Sequence, residues 1–128
     1  MAMKNESGFS LISVLVAITM FSVGVLALSR TGAEVMRVQT QSSARSTAVA
    51  IARAHMETLR AMDPKDILSE AAIKVDGEGK PNSQGSFTRT VKVADAGRNL
   101  KEIRVVVDYL RSQAPIELMT YAFYIGGA

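Results

Sequence analysis

Apolar residues are unevenly distributed along the chain, and one uninterrupted block lies near its start. Residues 9–28 read FSLISVLVAITMFSVGVLAL, twenty residues without a charged side chain. At about 1.5 Å per residue, a helix of this length spans roughly 30 Å, the thickness of a bilayer's hydrocarbon core. The block therefore predicts a transmembrane helix over residues 9–29.

Beyond this block the apolar pattern continues with a helical period. The spacing predicts an amphipathic helix over residues 30–62 that runs on from the first one. We expect it to end before Pro64, because the residue that precedes proline avoids helical backbone angles. His55 lies on the apolar stripe and is expected to be a packed residue rather than a ligand or base. The stripe consists of Ala48, Ile51, Ala52, His55, Met56, Leu59 and Met62.

The second half of the chain changes to a period of two. Residues 63–86 are predicted to be a loop region, with a short helical turn after Pro64. Strands are then predicted over residues 87–93, 100–110 and 116–124. Their short connections favour an antiparallel β-meander over residues 87–124. The predicted fold class is α+β, a long N-terminal helix packed against a small antiparallel sheet, with residues 30–128 as the globular domain.

Composition and charge exclude several classes of function. The chain has 128 residues and a net charge of +3, and it contains no cysteine and no tryptophan. Disulfides and thiolate metal sites are therefore excluded, and few aromatic side chains are present for base stacking. The sequence contains no phosphate-binding glycine loop, metal-ligand cluster or glycine-framed nucleophile. We expect a protein that is not an enzyme and has no cofactor.

The residues just before the apolar block carry a more specific signal. A leader of eight residues, 1–8, contains Lys4 and ends in Gly8, and Phe9 follows directly. Together with the charge-free run, this start resembles the cleavage and methylation signal of type IV pilins and type II secretion pseudopilins. The resemblance implies that a prepilin peptidase cuts between Gly8 and Phe9 and that Phe9 is then N-methylated. It also implies assembly with other pilin or pseudopilin subunits.

The chain departs from the family at one position. The family usually has glutamate as the fifth mature residue, where its carboxylate is thought to pair with the terminal amine of a neighbouring subunit, and here that residue is Ser13. Ser13 cannot make this ion pair. One interpretation is a minor, tip-proximal subunit, and the other is drift in a subunit that needs the pair less. Within the family, the chain is most similar to the minor pilin V or pseudopilin I type.

Five arginines follow the apolar block at intervals of seven or eight residues, and we expect them to form one loose basic stripe. The stripe is interpreted as a solvated face, as a set of contacts with acidic patches on neighbouring subunits, or as a contact with DNA. The mild net charge does not by itself indicate nucleic acid. These residues are Arg30, Arg37, Arg45, Arg53 and Arg60.

The expected function is that of a structural subunit of a type IV pilus or a type II secretion filament. Before assembly, the chain would cross the inner membrane once and hold its C-terminal domain on the extracytoplasmic side. The alternatives are a membrane-anchored extracytoplasmic binding module and a competence-filament subunit for DNA uptake. For the apolar block alone, a plain signal anchor and a cleaved secretory signal also remain open.

Overall fold

One helix, α1, occupies Leu11–Arg60 in the computed structural model, which describes residues 10–126. The apolar block and the amphipathic segment form this one helix, since no proline interrupts its 50 residues. After Arg60 the amide N–H of Met62 donates to the carbonyl oxygen of Leu59 over 3.1 Å. This bond spans three residues, as in a 3₁₀ turn, and is typical of a helix end. Residues 64–66 form a single turn, in which the amide N–H of Asp66 donates to the carbonyl oxygen of Asp63 over 2.9 Å.

The chain divides into two units, one that ends at Gln39 and one that begins at Thr40. The first unit contains the apolar part of α1. The second unit contains the last part of α1 and all four strands, so the packed core lies within it.

The second unit contains a four-stranded antiparallel sheet in the order β1-β2-β3-β4, a meander in which each strand pairs with the next. The strands are β1 Glu70–Val75, β2 Phe87–Gly97, β3 Leu100–Tyr109 and β4 Ile116–Phe123. The predicted α+β fold class, a long helix packed against a small antiparallel sheet, is confirmed.

Strand β1 corrects the prediction for residues 63–86, which the pattern assigns to a loop region. Its sequence, EAAIKV, lacks the alternation of apolar and polar side chains that marks a strand, and only its last residue is buried. Its pairing is also irregular, since Glu70 pairs with Val91 whereas Ile73 pairs with Arg89. Because β1 is held mainly by backbone hydrogen bonds to β2, its side chains give little sign of it.

The β2–β3 hairpin is tighter than the sequence predicts. The first strand is predicted to end at residue 93, but β2 continues through a register shift between Asp95 and Gly97, and Gly97 pairs with Leu100. Only Arg98 and Asn99 remain in the turn. Asn99 has a φ of 61°, a left-handed conformation that asparagine tolerates better than most residues.

The loop before β2 approaches β1 closely at a glycine. A Cβ atom on Gly85 would collide with the backbone carbonyl of Val75, so the approach requires a residue without a side chain. Gly79 has a φ of 83°, which glycine adopts at little cost. These two glycines allow the loop to lie against β1.

The core of the second unit lies between α1 and one face of the sheet. The predicted helix stripe is confirmed at five buried positions and is wrong at Met62, which is 42% exposed because α1 ends before it. The predicted alternation of β3 is confirmed, with Ile103, Val105 and Val107 fully buried. The buried apolar residues are Ala48, Ile51, Ala52, Met56, Leu59, Ile67, Val75, Val91, Ile103, Val105, Val107, Tyr109 and Ile116.

Candidate functional site

The apolar part of α1 is uncovered within the described residues. Its most apolar stretch of 18 residues has a mean hydropathy of 2.6, and none of it is buried. The large side chains of Leu11, Phe21 and Leu28 are 82%, 74% and 73% exposed. Contact between this surface and water is unfavourable by roughly 25 cal/mol per Å². By length and composition the segment can cross a membrane.

The hydroxyl groups of Thr19 and Ser22 donate hydrogen bonds to the backbone of their own helix. Thr19 donates to the carbonyl oxygen of Leu15 over 2.7 Å, and Ser22 donates to that of Ile18 over 2.8 Å. Each bond reaches back one turn, as expected for serine and threonine in a membrane helix. These side chains therefore need no water and can lie in an apolar environment.

The residues of the predicted processing site cannot be placed, because Gly8 and Phe9 lie outside residues 10–126. Their cleavage and methylation stay predictions. Ser13 lies in the first turn of α1, where its amide N–H donates to the carbonyl oxygen of Ser10 over 2.9 Å. Because the serine hydroxyl is uncharged, Ser13 cannot form an ion pair with a terminal amine.

The five arginines all lie on α1 and are all exposed. Arg37 pairs with Glu34 over 3.9 Å and Arg60 pairs with Glu57 over 3.4 Å. Such exposed pairs one turn apart contribute about 0.3–0.5 kcal/mol each. Steps of seven and eight residues rotate the position by about −20° and 80° on an ideal helix, so the five arginines are spread over about half of its circumference. Three of them make no ion pair within the described part of the chain: Arg30, Arg45 and Arg53.

A polar cluster lies where the sequence predicts only apolar packing. Arg89 is 9% exposed and donates from Nη1 to the carbonyl oxygen of Gly79 over 3.0 Å. Its Nη2 lies 4.0 Å from Oε2 of Glu70, and the same oxygen lies 3.0 Å from Nε2 of His55. Nε of Arg89 has no hydrogen-bond partner among the described residues. One carboxylate therefore links the helix to β1 and β2.

Sequence reasoning missed the role of Arg89. The period of two places it on the same face as Val91, and a cation at a core position requires an acidic partner. That partner, Glu70, begins β1, the strand that the side-chain pattern does not reveal. The core-facing position of Arg89 could therefore be predicted from the sequence, whereas the identity of its acidic partner could not.

The cluster changes the ionisation of its histidine. Burial lowers the pKa of His55 below the ordinary value of 6.5, and the charge of Arg89 lowers it further, while Glu70 opposes both effects. The imidazole is therefore neutral at neutral pH. With its proton on Nε2, it donates a hydrogen bond to the Glu70 carboxylate.

We expect the stability of the second unit to fall as the pH drops below 6.5. The unfolded chain binds a proton at His55 near that pH, whereas the folded chain binds it only at lower pH, so acid favours unfolding. In a His55→Gln variant, which keeps a donor for Glu70, Tm should depend less steeply on pH below 6.5. Thermal unfolding of both full-length chains in detergent measures this. Equal slopes would contradict the expectation.

A second charged group lies on the opposite, solvent-facing side of the sheet. Arg104 on β3 lies 2.7 Å from Oε1 of Glu102 and 2.9 Å from Oε1 of Glu117 on β4. The hydrogen bond to Glu102, with the charges of both carboxylates, raises the pKa of Arg104. Two carboxylates share one guanidinium, so the group carries a net negative charge.

The loop that starts at Asp76 forms a turn, as its sequence predicts. Oδ1 of Asp76 accepts the backbone N–H groups of Glu78 and Lys80 over 2.9 and 3.0 Å. Within residues 10–126, no group of three or more His, Cys, Asp or Glu side chains could hold a metal ion.

Comparison with known families identifies the start of the chain. Residues 3–29 match the family described as "Prokaryotic N-terminal methylation motif". The match covers the predicted cleavage site and the apolar block, and it supports the pilin and pseudopilin family for this chain. Comparison with curated proteins and with solved structures gives no match.

Proposed function

We propose that this chain is a type IV pilin-like or pseudopilin subunit. It is made as a precursor, cut by prepilin peptidase between Gly8 and Phe9, and assembled through its apolar helix into an envelope filament. The match of residues 3–29 to the methylation motif carries this proposal. The uncovered apolar part of α1, which begins at Leu11, supports it.

The chemistry of the helix suits transfer between two apolar environments. Before assembly the chain is a single-pass inner-membrane protein with an extracytoplasmic C-terminal domain. On assembly, its leucine, valine and isoleucine side chains leave lipid for a bundle of similar helices. The interior of such a bundle is about as apolar as the lipid. Because Thr19 and Ser22 bond to their own helix, the transfer breaks no hydrogen bond that lipid or water supplied.

The serine at position 13 favours a minor subunit near the tip of the filament. A carboxylate in an apolar bundle is stable only beside a partner cation. A subunit at the end of a filament lacks one neighbour, and an uncharged side chain needs no such partner. Within the family we propose the minor pilin V or pseudopilin I type. Drift of Ser13 in an ordinary subunit is the alternative.

The role we propose is structural and not enzymatic. The filament is a type IV pilus or a type II secretion pseudopilus. In such a filament, the exposed arginines of α1 contact acidic patches on neighbouring subunits. Arg45 and Arg53 support this reading, because neither makes an ion pair within the described residues of its own chain.

Replacing Gly8 with alanine tests the proposal. In cells with an active prepilin peptidase, the native chain should have the intact mass of a protein that starts at Phe9 and carries an N-methyl group. The Gly8→Ala chain should keep its leader and fail to assemble, because the peptidase cuts after glycine. Ser7→Ala is the matched control and should be processed normally.

Two outcomes would count against the proposal. A native chain that still begins at Met1 in those cells would refute processing. A Gly8→Ala chain that keeps its leader but functions normally would favour a membrane-anchored binding module instead.

A further inference from the structure

The two edges of the sheet differ in how they are covered. The strand order leaves β1 and β4 at the edges. Beside β1, Val75 forms a bridge with Pro81, and the amide N–H of Asn82 donates to the carbonyl oxygen of Lys74 over 2.9 Å. Proline offers no N–H for further pairing. The loop therefore closes the end of the β1 edge.

The backbone of β4 presents an open edge. The amide N–H of Tyr124 donates over 3.0 Å to the carbonyl oxygen of Asn99, the residue just before β3. Antiparallel partners alternate between bonded and non-bonded pairs. The register Leu100↔Phe123 therefore directs the N–H and C=O groups of alternate β4 residues away from β3. These edge residues are Glu117, Met119, Tyr121 and Phe123.

Three of these four residues carry apolar or aromatic side chains on the solvent side of the sheet. Met119, Tyr121 and Phe123 are 51%, 54% and 66% exposed. Proteins usually protect an edge with lysine, proline, a bulge or a very short strand. β4 has 8 residues, no lysine or proline, and an unbroken register with β3. Among the described residues, the outward backbone groups of β4 have no backbone hydrogen-bond partner, and they lie beside this apolar row.

We propose that an extended segment of another protein chain binds the edge of β4 as a fifth strand. The backbone groups of Met119, Tyr121 and Phe123 define the occupant as a β-strand, and their side chains select apolar residues at alternate positions. At the other end of β4, Glu117 and Glu102 both pair with Arg104, two carboxylates to one guanidinium. The incoming strand therefore places a lysine or arginine beside Glu117.

A second copy of this chain fits the edge less well. Strand β4 contains no lysine and no arginine, so β4 of another copy would place no cation beside Glu117. The covered end of β1 also hinders pairing of β4 with the β1 edge of another copy.

Amide exchange on the full-length chain in detergent tests the proposal. The probe is a synthetic peptide of alternating valine and threonine with one lysine at the end that meets Glu117. Bound peptide should slow exchange at Met119, Tyr121 and Phe123 by about ten-fold or more, because each of these amides gains a hydrogen bond. Leu118 and Thr120, which already bond to β3, should not change. The same peptide with N-methylated alternate amides should have no effect.

Two variants of one residue separate the backbone from the side chain. Tyr121→Pro removes an edge N–H but leaves the β3–β4 hydrogen bonds intact, and it should weaken peptide binding by about ten-fold or more. Tyr121→Thr keeps the N–H and should bind more tightly than the proline variant. Thr120→Pro breaks a bond to β3 and should instead lower Tm, which confirms the assigned direction of the edge groups.

Three results would overturn the inference: unchanged exchange at saturating peptide, equal binding by Tyr121→Pro, and protection that grows with protein concentration alone. The last would assign the edge to a second copy. The intact mass of the chain from cells tests the proposed function separately. If the chain is processed but its β4 edge does not bind the peptide, only this inference is refuted. If the chain is not processed but its β4 edge binds the peptide, only the proposed function is refuted.

Discussion

A lysine in place of Val16 is expected to block stable membrane insertion of the chain. Val16 lies within the apolar part of α1, is 50% exposed, and has no charged side chain within the segment to pair with. A charge near the centre of a membrane helix costs about 2.5–3.5 kcal/mol on insertion scales. That cost shifts the ratio of inserted to non-inserted chain by roughly a hundred-fold. The fraction of chain that resists alkaline extraction from membranes measures the effect.

Val38→Lys is the matched control for this prediction. Val38 belongs to the same helix and is 56% exposed, but it lies beyond the predicted membrane segment and next to Arg37. Its replacement should leave membrane insertion unchanged. If both variants insert equally well, the apolar part of α1 is not the membrane segment.

Replacing Ile103 with alanine is expected to remove much of the stability of the second unit. Ile103 is fully buried on β3, where it pairs with Val93 and Thr120 and faces the helix. Truncation of a buried isoleucine costs about 2–5 kcal/mol, because the cavity is only partly refilled. A domain of this size has only about 5–15 kcal/mol in total. We therefore expect a large decrease in the free energy of unfolding.

The chain offers a control of the same residue type. Ile125 is 82% exposed, and Ile125→Ala should change the free energy of unfolding by less than about 0.5 kcal/mol. Denaturant titration of the full-length proteins, followed by tyrosine fluorescence because there is no tryptophan, compares them. Tyr109 is buried in the core and reports its opening. Similar midpoints for the two variants would place Ile103 outside the core.

Predictions from periodicity succeeded where one face of an element is simply buried. The helix stripe from Ala48 to Leu59 and the alternation of Ile103, Val105 and Val107 are such cases. The same reasoning failed at Met62, because the helix ends before the stripe does. Periodicity identifies which residues can share a face, but the limits of the element depend on its neighbours.

The pattern failed more fully at the edge of the sheet. Strand β1 has a single buried side chain and a register shift, so no alternation marks it. Because β1 was not predicted, Glu70 could not be recognised as the carboxylate that lies between His55 and Arg89. Each of these residues is separated from its partner by many positions, and nothing local in the sequence relates them.

The sequence by itself determined the long apolar helix and its amphipathic continuation, and it contains the predicted processing signal. These features depend on properties of consecutive residues: length without charge, spacing along one helix, and Gly8 before Phe9. Only the tertiary structure decided which edge of the sheet is open and which is covered, and which charges meet in the core. The open edge depends on backbone groups, which are the same in every residue and leave no mark in the sequence. The charge cluster depends on contacts between residues far apart in the chain, which form only when the chain folds.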